Sequence, residues 1–199
     1  MKSFLLPGMV LSLLISTSAA LAQVPVLDLG AQRAAAEAGD SAAQFDLGNR
    51  YLAGDGVIAD NFEAARWFQK AAEQDNNNAQ YNLAIMYMQG TGVIADFSQA
   101  LYWFRRAADL GDLPSQFTLA TFYMNGRGVP QDPVQAHMWF TLAAAGGNRA
   151  AAANLVLYQE MMSDEQIVAA QQAASTWIDN FNRNRATDDA VANPAARAP

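Results

Sequence analysis

The chain has 199 residues, with 12 basic and 19 acidic side chains, a net charge of −7 and no cysteine. This acidic balance, with the arginines scattered along the chain, excludes the concentrated basic face that nucleic-acid binding requires. Without cysteine the sequence can form neither a disulfide framework nor a lipidated-cysteine anchor, so the fold does not depend on oxidation.

The first residues predict a secretory signal peptide over 1–22. Lys2 supplies a positive charge, an apolar run covers 9–15, and an A-L-A site predicts cleavage after Ala22. Pro7 and the neighbouring serine and threonine residues disfavour a membrane-spanning helix, although an uncleaved anchor is the alternative. No later stretch is apolar enough to span a bilayer. We therefore expect a periplasmic or secreted protein with no stable membrane insertion after cleavage.

Residues 23–39 predict an N-terminal cap helix. The segment is rich in alanine, and the letters AAEAGD at 35–40, which include the first residue of the next segment, are similar to AAEQDN at 71–76 and AADLGD at 107–112. We interpret it as the second helix of a repeat whose first helix is absent. Such a helix would cover one open end of a stack of repeats.

Three full repeats of 36 residues follow, over 40–75, 76–111 and 112–147. Each begins with Asp or Asn, which can cap a first helix (helix A), and each glycine-rich turn leads to an Asp that can cap a second (helix B). A fixed period in this range indicates stacked helix pairs. The repeated positions include Leu47/Leu83/Leu119, Tyr51/Tyr87/Tyr123, Gly54/Gly90/Gly126, Gly56/Gly92/Gly128, Asp60/Asp96/Asp132, Trp67/Trp103/Trp139 and Phe68/Phe104/Phe140.

The joints between repeats also follow a pattern. Gly39, Gly111 and Gly147 precede three of the four helix A caps and predict left-handed helix ends. Asp75 interrupts this column, so we expect a different local geometry at that joint.

Residues 148–182 predict a partial repeat followed by a C-terminal cap helix. Leu155 continues the position of Leu119, but the glycine-rich turn is missing. The letters SDEQ at 163–166 form a capping box that opens a new helix, and the polar, Ala/Pro-rich residues 183–199 predict a disordered tail. The apolar face of the cap helix consists of Ile167, Ala170, Ala174, Trp177, Ile178 and Phe181.

The repeated pattern L-G-x-x-Y-x-x-G-x-G-V, then D, then A-x-x-W-F-x-x-A-A resembles the Sel-one-like repeat (SLR) family, a relative of tetratricopeptide repeats. The resemblance covers about 40–148, and Ala84, Ala120 and Asp75 depart from the pattern. It implies an all-α, right-handed α-solenoid of stacked antiparallel helix pairs, with three full repeats and a cap helix at each end. It also implies that helix A of each pair lines a concave surface, and that the protein is a non-catalytic adaptor. Together with the predicted signal peptide, this indicates a secreted bacterial-type member of the family.

The sequence offers little for chemistry, so we predict no enzyme activity, no cofactor and no metal site. His137 is the only histidine, and its column holds Ala65 and Leu101 in the other repeats, which indicates a packing position. One histidine without cysteine cannot form a usual zinc site or a Ser-His-Asp triad. A hydrolase is the less favoured reading, because the members of the family proposed as hydrolases are rich in cysteine.

Binding is better supported, because the helix A positions left over from packing form a second face with spacing i, i+3, i+4 and i+7. We expect this face to hold an extended or helical segment of another extracytoplasmic protein of unknown identity, with Met86 and Phe122 as apolar anchors. The alternative for that pair is packing against the neighbouring helix. Glycan or cell-wall binding is the alternative function if the repeated tryptophans are exposed. The predicted face consists of Asp46, Asn49, Arg50, Ala53, Asn82, Ile85, Met86, Gln89, Thr118, Thr121, Phe122 and Asn125.

Overall fold

The computed structural model describes residues 29–192; the predicted signal peptide, the start of the predicted cap segment and residues 193–199 lie outside this range. Within 29–192 the chain is all-helical, as predicted, and no strand is present. The helices are α1 (Leu29–Glu37), α2 (Ser41–Ala53), α3 (Asn61–Ala72), α4 (Asn77–Gln89), α5 (Phe97–Asp109), α6 (Leu113–Asn125), α7 (Pro133–Ala145), α8 (Arg149–Gln159) and α9 (Asp164–Ala192).

Four side-chain caps mark the starts of α2, α4, α6 and α8. Asp40, Asn76, Asp112 and Asn148 each accept a hydrogen bond from the backbone N–H three residues further on, at 2.8–3.1 Å. These bonds satisfy donors that the first helical turn leaves without a partner. The predicted cap spacing is confirmed, and it makes α8 a fourth helix A.

The helices B are α3, α5 and α7, and each begins at a predicted aspartate. Asp60, Asp96 and Asp132 accept hydrogen bonds from backbone N–H groups of the following turn. Pro133 is the first residue of α7, where its missing N–H costs no helical hydrogen bond. In consequence the glycine-rich turns between helices A and B have the same length in each repeat.

Each helix pair is held by an aromatic contact that recurs with the repeat. A buried phenylalanine of helix B lies 5.8 Å, between ring centroids, from an aromatic residue of helix A in every repeat. These tilted and edge-on arrangements are the ones that aromatic rings prefer. The three pairs are Phe45 with Phe68, Tyr81 with Phe104, and Phe117 with Phe140.

A buried glutamine connects each of the first three helices A, α2, α4 and α6, to the preceding helix. Gln44, Gln80 and Gln116 donate through Nε2 to the carbonyl oxygens of three alanines, at 3.0–3.2 Å. The three acceptors are Ala36, Ala72 and Ala108. These bonds satisfy carbonyl groups near the C-terminal ends of α1, α3 and α5, and they were not anticipated from the sequence.

The joint at Asp75 follows the same path as its glycine counterparts, which corrects the expected difference in geometry. Asp75 has φ 60°, and Gly39, Gly111 and Gly147 have φ between 91° and 101°, so all four are left-handed. The side chain of Asp75 accepts a hydrogen bond from Gln80 at 3.1 Å and pairs with an arginine of α5, Arg106. Aspartate tolerates this conformation better than most residues, and its two partners hold it there.

Helix α9 closes the C-terminal end of the stack by packing against α7. Its capping box is confirmed, because Ser163 N–H donates to Gln166 Oε1 at 3.0 Å and Gln166 N–H donates to Ser163 Oγ at 3.3 Å. Ala170 and Ala174 are buried, as the predicted face requires, whereas Ile178 is exposed.

The predicted boundary of the tail at residue 183 is wrong, because α9 continues to Ala192. The side chains of 182–187 are exposed, and their polarity suggested disorder. Neither glycine nor proline occurs between 164 and 193, so nothing in the backbone ends the helix earlier. No helix within 29–192 is long and apolar enough to cross a membrane.

Candidate functional site

The predicted binding positions lie on neighbouring helices, because helices A of successive repeats are side by side. Asn82 of α4 donates through Nδ2 to Asn49 Oδ1 of α2, at 3.5 Å. At the start of the same two helices, Asn76 Nδ2 donates to the carbonyl oxygen of Ser41, at 3.3 Å. The repeat spacing therefore brings side chains from distant parts of the sequence onto one surface.

Met86 and Phe122 do not belong to this surface, which corrects the prediction that they are its apolar anchors. Each is 3% exposed and lies in the core. The ring of Phe122 contacts Phe104 of α5 edge-on, at 5.7 Å between centroids. Their column points toward helix B of the preceding repeat, so the alternative of packing against a neighbouring helix is the observed one.

The surface extends further than predicted, because α8 adds a fourth row. Leu157 and Met161 lie 36 residues after Thr121 and Asn125, and they are 63% and 73% exposed. Sequence reasoning missed them although the same spacing leads to them from the third repeat. We call the resulting surface the A face. It consists of Asp46, Asn49, Arg50, Ala53, Asn82, Ile85, Gln89, Thr118, Thr121, Asn125, Leu157 and Met161.

The middle of the A face presents amides and methyl groups. Thr118 Oγ1 donates to the carbonyl of Pro114 at 2.9 Å, and Thr121 Oγ1 donates to the carbonyl of Thr118 at 2.7 Å. Both hydroxyl protons are therefore used within α6, and these oxygens can only accept further bonds. Gln89 and Asn125 are exposed, and their amides can both donate and accept.

One end of the A face contains a charged cavity between α1 and α2, which we call the α1–α2 pocket. Its volume is about 330 Å³. Arg50 Nη1 forms an ion pair with Asp55 Oδ2 at 3.1 Å and also donates to the Asp55 carbonyl at 3.4 Å. Asp46 is exposed beside this pair. The pocket is lined by Gln32, Asp46, Asn49, Arg50, Ala53 and Asp55.

The opposite end contains a cavity of about 370 Å³, which we call the methionine pocket. Three of its lining residues carry flexible, polarisable thioethers, which adapt to apolar groups of different shapes. A cavity with charged side chains and a cavity rich in methionine therefore lie at opposite ends of one surface. The lining residues are Met124, Asn125, Gln131, Pro133, Tyr158, Met161 and Met162.

His137 lies outside the A face and is confirmed as a packing residue. It is fully buried, and Thr141 Oγ1 and Gln159 Nε2 lie 3.3 Å and 2.7 Å from its two ring nitrogens. Burial lowers the pKa of His137, because the apolar surroundings disfavour the charged ring. Within 29–192 no group of three or more His, Cys, Asp or Glu residues is arranged to hold a metal ion.

The repeated tryptophans do not form a stacking platform for sugars. Trp67, Trp103 and Trp139 are all buried, and their rings fill space between helices. Lys70 lies over the Trp67 ring, and Arg105 lies over the Trp139 ring. The exposed aromatic rows that glycan binding would need are therefore absent from the three helices B.

Comparison with known proteins matches three stretches of this sequence to the model of the Sel1 repeat, at 41–76, 77–112 and 113–148. The structure of a Sel1 repeat protein from Oxalobacter formigenes is 41% identical, with a TM-score of 0.61, and the match covers 64% of this chain and 96% of that one. The structure of c5321, a protective antigen present in uropathogenic Escherichia coli strains with an SLR fold, is 28% identical, with a TM-score of 0.68. That match covers 86% of this chain and 36% of the c5321 chain. No curated protein matches the sequence.

Proposed function

Because the chain belongs to the Sel1 repeat family, whose members are typically non-enzymatic scaffolds for protein–protein interaction, we propose that it is an extracytoplasmic adaptor that binds a segment of another protein along the A face. The segment is extended or helical and lies across helices α2, α4, α6 and α8. The concave groove that the family resemblance implies for helices A is the expected shape of this surface.

The side chains of the A face suit a polypeptide backbone. Amides such as Gln89 and Asn125 can pair with both peptide N–H and peptide C=O groups. Thr118 and Thr121 offer acceptor oxygens to peptide N–H groups, since their own protons bond to α6. None of these four residues is needed for the buried core, so this surface is available to a partner.

The observation that carries the proposal is an exposed apolar pair, formed by Leu157 on α8 and Met161 in the turn that follows α8. Leu157 and Met161 continue the A face beside the methionine pocket. Single exposed apolar residues are ordinary, but these two continue the spacing of the A face, and Met161 also lines a cavity. We therefore place the apolar anchor of the partner at α8, instead of at Met86 and Phe122.

The extracytoplasmic location rests on residues 1–22, which lie outside the described part of the chain. Their charge, apolar run and A-L-A site are typical of a secretory signal. Mass spectrometry of the protein from cytoplasmic, periplasmic and culture fractions tests this part of the proposal. A mature N-terminus at Gln23 supports it, and an intact Met1 in the cytoplasmic fraction contradicts it.

The binding proposal is tested with a pair of matched variants. The A-face variant carries Leu157→Asp and Met161→Asp, and the control carries Ile58→Asp and Ile94→Asp. The control isoleucines are about nine-tenths exposed and lie in the turns between helices A and B, away from the A face. Both variants should fold, because all four side chains are exposed.

Each protein is used to capture partners from periplasmic and culture fractions, and the captured protein is then purified and titrated by calorimetry. We expect the wild type and the control to bind it equally, and the A-face variant to bind at least tenfold more weakly, as loss of an apolar anchor requires. Equal affinity of the A-face variant, or loss of binding in the control alone, would place the interaction elsewhere.

A further inference from the structure

We propose that copies of this chain associate head to tail, with α8 of one copy paired with α1 of the next. α8 is a helix A without a helix B, because α9 packs against α7 and does not lie along α8. α1 corresponds to a helix B whose helix A is absent. The two unpaired helices would together form one composite repeat. This inference does not depend on the binding of another protein to the A face.

The face of α8 that would contact a helix B is uncovered. In the first repeat Gly48 lies directly against the ring of Phe68, which belongs to the helix B of the same repeat. The equivalent Ala84 and Ala120 are fully buried, whereas Val156 at the same position of α8 is 61% exposed. A position that is buried in three repeats and exposed in the fourth lacks a neighbouring helix.

The corresponding face of α1 is uncovered as well. Within the first repeat Trp67 packs in one cluster with Leu47 of α2. Ala31 occupies the tryptophan position in α1 and is exposed, and Leu155 occupies the leucine position in α8 and is only half-buried. The two sides of this helix-pair contact are therefore open at opposite ends of the chain. Ala35 of α1 is also half-buried, whereas its fully buried equivalents in the complete repeats are Ala71, Ala107 and Ala143.

The side chains of the two uncovered faces are complementary in size. In the complete repeats helix B supplies tryptophan and phenylalanine, and helix A supplies glycine or alanine opposite the phenylalanine. In the unpaired helices α1 supplies the smaller Ala31 and Gln32, and α8 supplies the larger Val156. Smaller side chains on α1 leave the room that a larger one on α8 needs for close packing.

The joint between copies also brings opposite charges together. Within the chain Asn76, at the start of α4, donates through Nδ2 to the carbonyl oxygen of Ser41, at the start of α2, at 3.3 Å. The 36-residue spacing places Asp40 of the second copy and Arg149 of the first at these two positions, and both are exposed. Their attraction favours this register over a shifted one. The equivalent pairs within one chain, none of opposite charge, are Asn76 with Ser41, Asp112 with Asn77, and Asn148 with Leu113.

A second copy fits the open side of α8 because the joint between its α1 and α2 has the form of the internal joints. Gly39 is left-handed there, as Gly111 and Gly147 are at the later joints. The α2 helix of the second copy would then continue the row of helices A after α8. Each copy has both ends, so the contact is heterologous and can repeat, which gives chains of copies instead of a closed dimer.

Sedimentation velocity of the purified protein tests the inference, with no tag at either end, because a tag could cover α1. We expect the average mass to rise between micromolar and millimolar concentration and to pass that of two chains, since every added copy offers a new end. A mass that stays at one chain, or that stops rising at two chains, would overturn the inference.

Two variants each block one end and keep the other. Val156→Asp places a charge in the contact on α8, and Ala31→Asp places one in the contact on α1. Both positions are exposed, so both variants should keep the melting temperature of the wild type. Each variant alone should associate at least tenfold more weakly, because the contact would bury an unpaired carboxylate. Ile94→Asp is the control, since it is 90% exposed in the turn of the second repeat, and it should associate as the wild type does.

An equimolar mixture of the two blocked variants distinguishes this contact from other modes of association. The intact α1 of the Val156→Asp protein can pair with the intact α8 of the Ala31→Asp protein, so the mixture should form complexes of two chains and none longer. In an isologous dimer the same surface of both chains meets, and mixing would restore nothing. A mixture that sediments as single chains would therefore contradict the inference even if each variant alone had lost association.

Arg149→Glu tests the register of the contact. The change places two carboxylates at the joint between copies and should weaken association about fivefold at low ionic strength, with a smaller effect at high salt. Arg149 is exposed in the first turn of α8, where glutamate also suits the helix, so the fold should be retained. Unchanged association at low salt would show that Asp40 and Arg149 do not meet and would overturn the proposed pairing of α1 with α8.

Discussion

Gly92, in the turn after α4, lies directly against the backbone carbonyl of Asn61, the first residue of α3 in the preceding repeat. A Cβ atom on Gly92 would overlap that carbonyl, and φ +70° is itself unfavourable for a residue with a side chain. The glycine-rich turn therefore also permits close contact between repeats.

We predict that Gly92→Ala lowers the free energy of unfolding by at least about 3 kcal/mol, measured by urea denaturation, because backbone strain and overlap combine. Gly39→Ala is the matched control, since Gly39 has φ +101° and open space around its Cβ position. That variant should lose only the conformational term of about 1–2 kcal/mol. Equal losses in the two variants would show that the contact with Asn61 is relaxed without cost.

The second prediction compares the stability lost when two phenylalanines of helices B, one buried and one exposed, are replaced by alanine. Phe104 is fully buried and contacts Tyr81 and Phe122, whereas Phe62 is 61% exposed at the start of α3. Phe104→Ala should cost about 3–5 kcal/mol, as large-to-small core changes do, and Phe62→Ala less than about 0.5 kcal/mol. Similar denaturation midpoints for the two variants would contradict the burial described for α5.

The single histidine predicts a pH dependence of stability. Burial lowers the pKa of His137 in the folded protein below its ordinary value of about 6.5, so the unfolded chain binds the proton more tightly. This contribution to stability is complete above about pH 6.5 and is lost as the pH falls through the lower pKa of the folded state. Urea denaturation between about pH 8 and pH 5 should show this loss in the wild type.

His137→Leu is the control, because Leu101 occupies the equivalent position in the second repeat. Its stability should change less over the same pH range, since no group replaces the imidazole. Parallel pH profiles for the two proteins would mean that the folded state accepts the proton as readily as the unfolded chain.

Two truncations test the roles assigned to α9. Deletion of 163–199 removes Ala170, Ala174 and the Trp177 ring, which contacts Trp139 of α7 edge-on at 6.1 Å. Exposure of that end of the stack should abolish cooperative thermal unfolding or cause aggregation.

Deletion of 183–199 removes the exposed side chains of 183–187 and should shift the melting temperature by less than about 2 °C. It should nevertheless lower the helical circular dichroism signal, because 183–192 are helical. An unchanged signal would contradict the helix over 183–192.

The helix pairs could be predicted from the sequence because their boundaries depend on local chemistry. An Asp or Asn cap such as Asp40, and a left-handed glycine such as Gly54, determine where a helix begins and ends through bonds to nearby backbone groups. Their repetition at a constant spacing made each assignment support the others. The end of α9 lacked such a marker, and composition alone was a poor substitute.

The candidate surface was harder to predict because it depends on how far each helix A is rotated about its axis. Arg50, Met86, Phe122 and Tyr158 occupy equivalent positions of the four helices A. The polarity of Arg50 suggested that this position is exposed, but Met86, Phe122 and Tyr158 are buried. Three large apolar residues out of four indicate a core position. Four residues of the α1–α2 pocket belong to the predicted face, but the contribution of Gln32 could not be predicted, since it depends on how α1 packs against α2.

The link between Asp75 and Arg106 determines how this array could be lengthened. The left-handed residues at successive joints between helix pairs are Gly39, Asp75 and Gly111. The positions equivalent to Arg106, which faces Asp75, are occupied by Lys70 opposite Gly39 and by Leu142 opposite Gly111. Inserting a second copy of 76–111 would place an Arg106 opposite a glycine and leave it without its carboxylate. Duplicating 40–111 would instead reproduce every joint already present, because a glycine precedes the first repeat in the native chain. The second repeat can therefore be copied with its charged joint intact only together with the first repeat, whose last residue supplies the carboxylate.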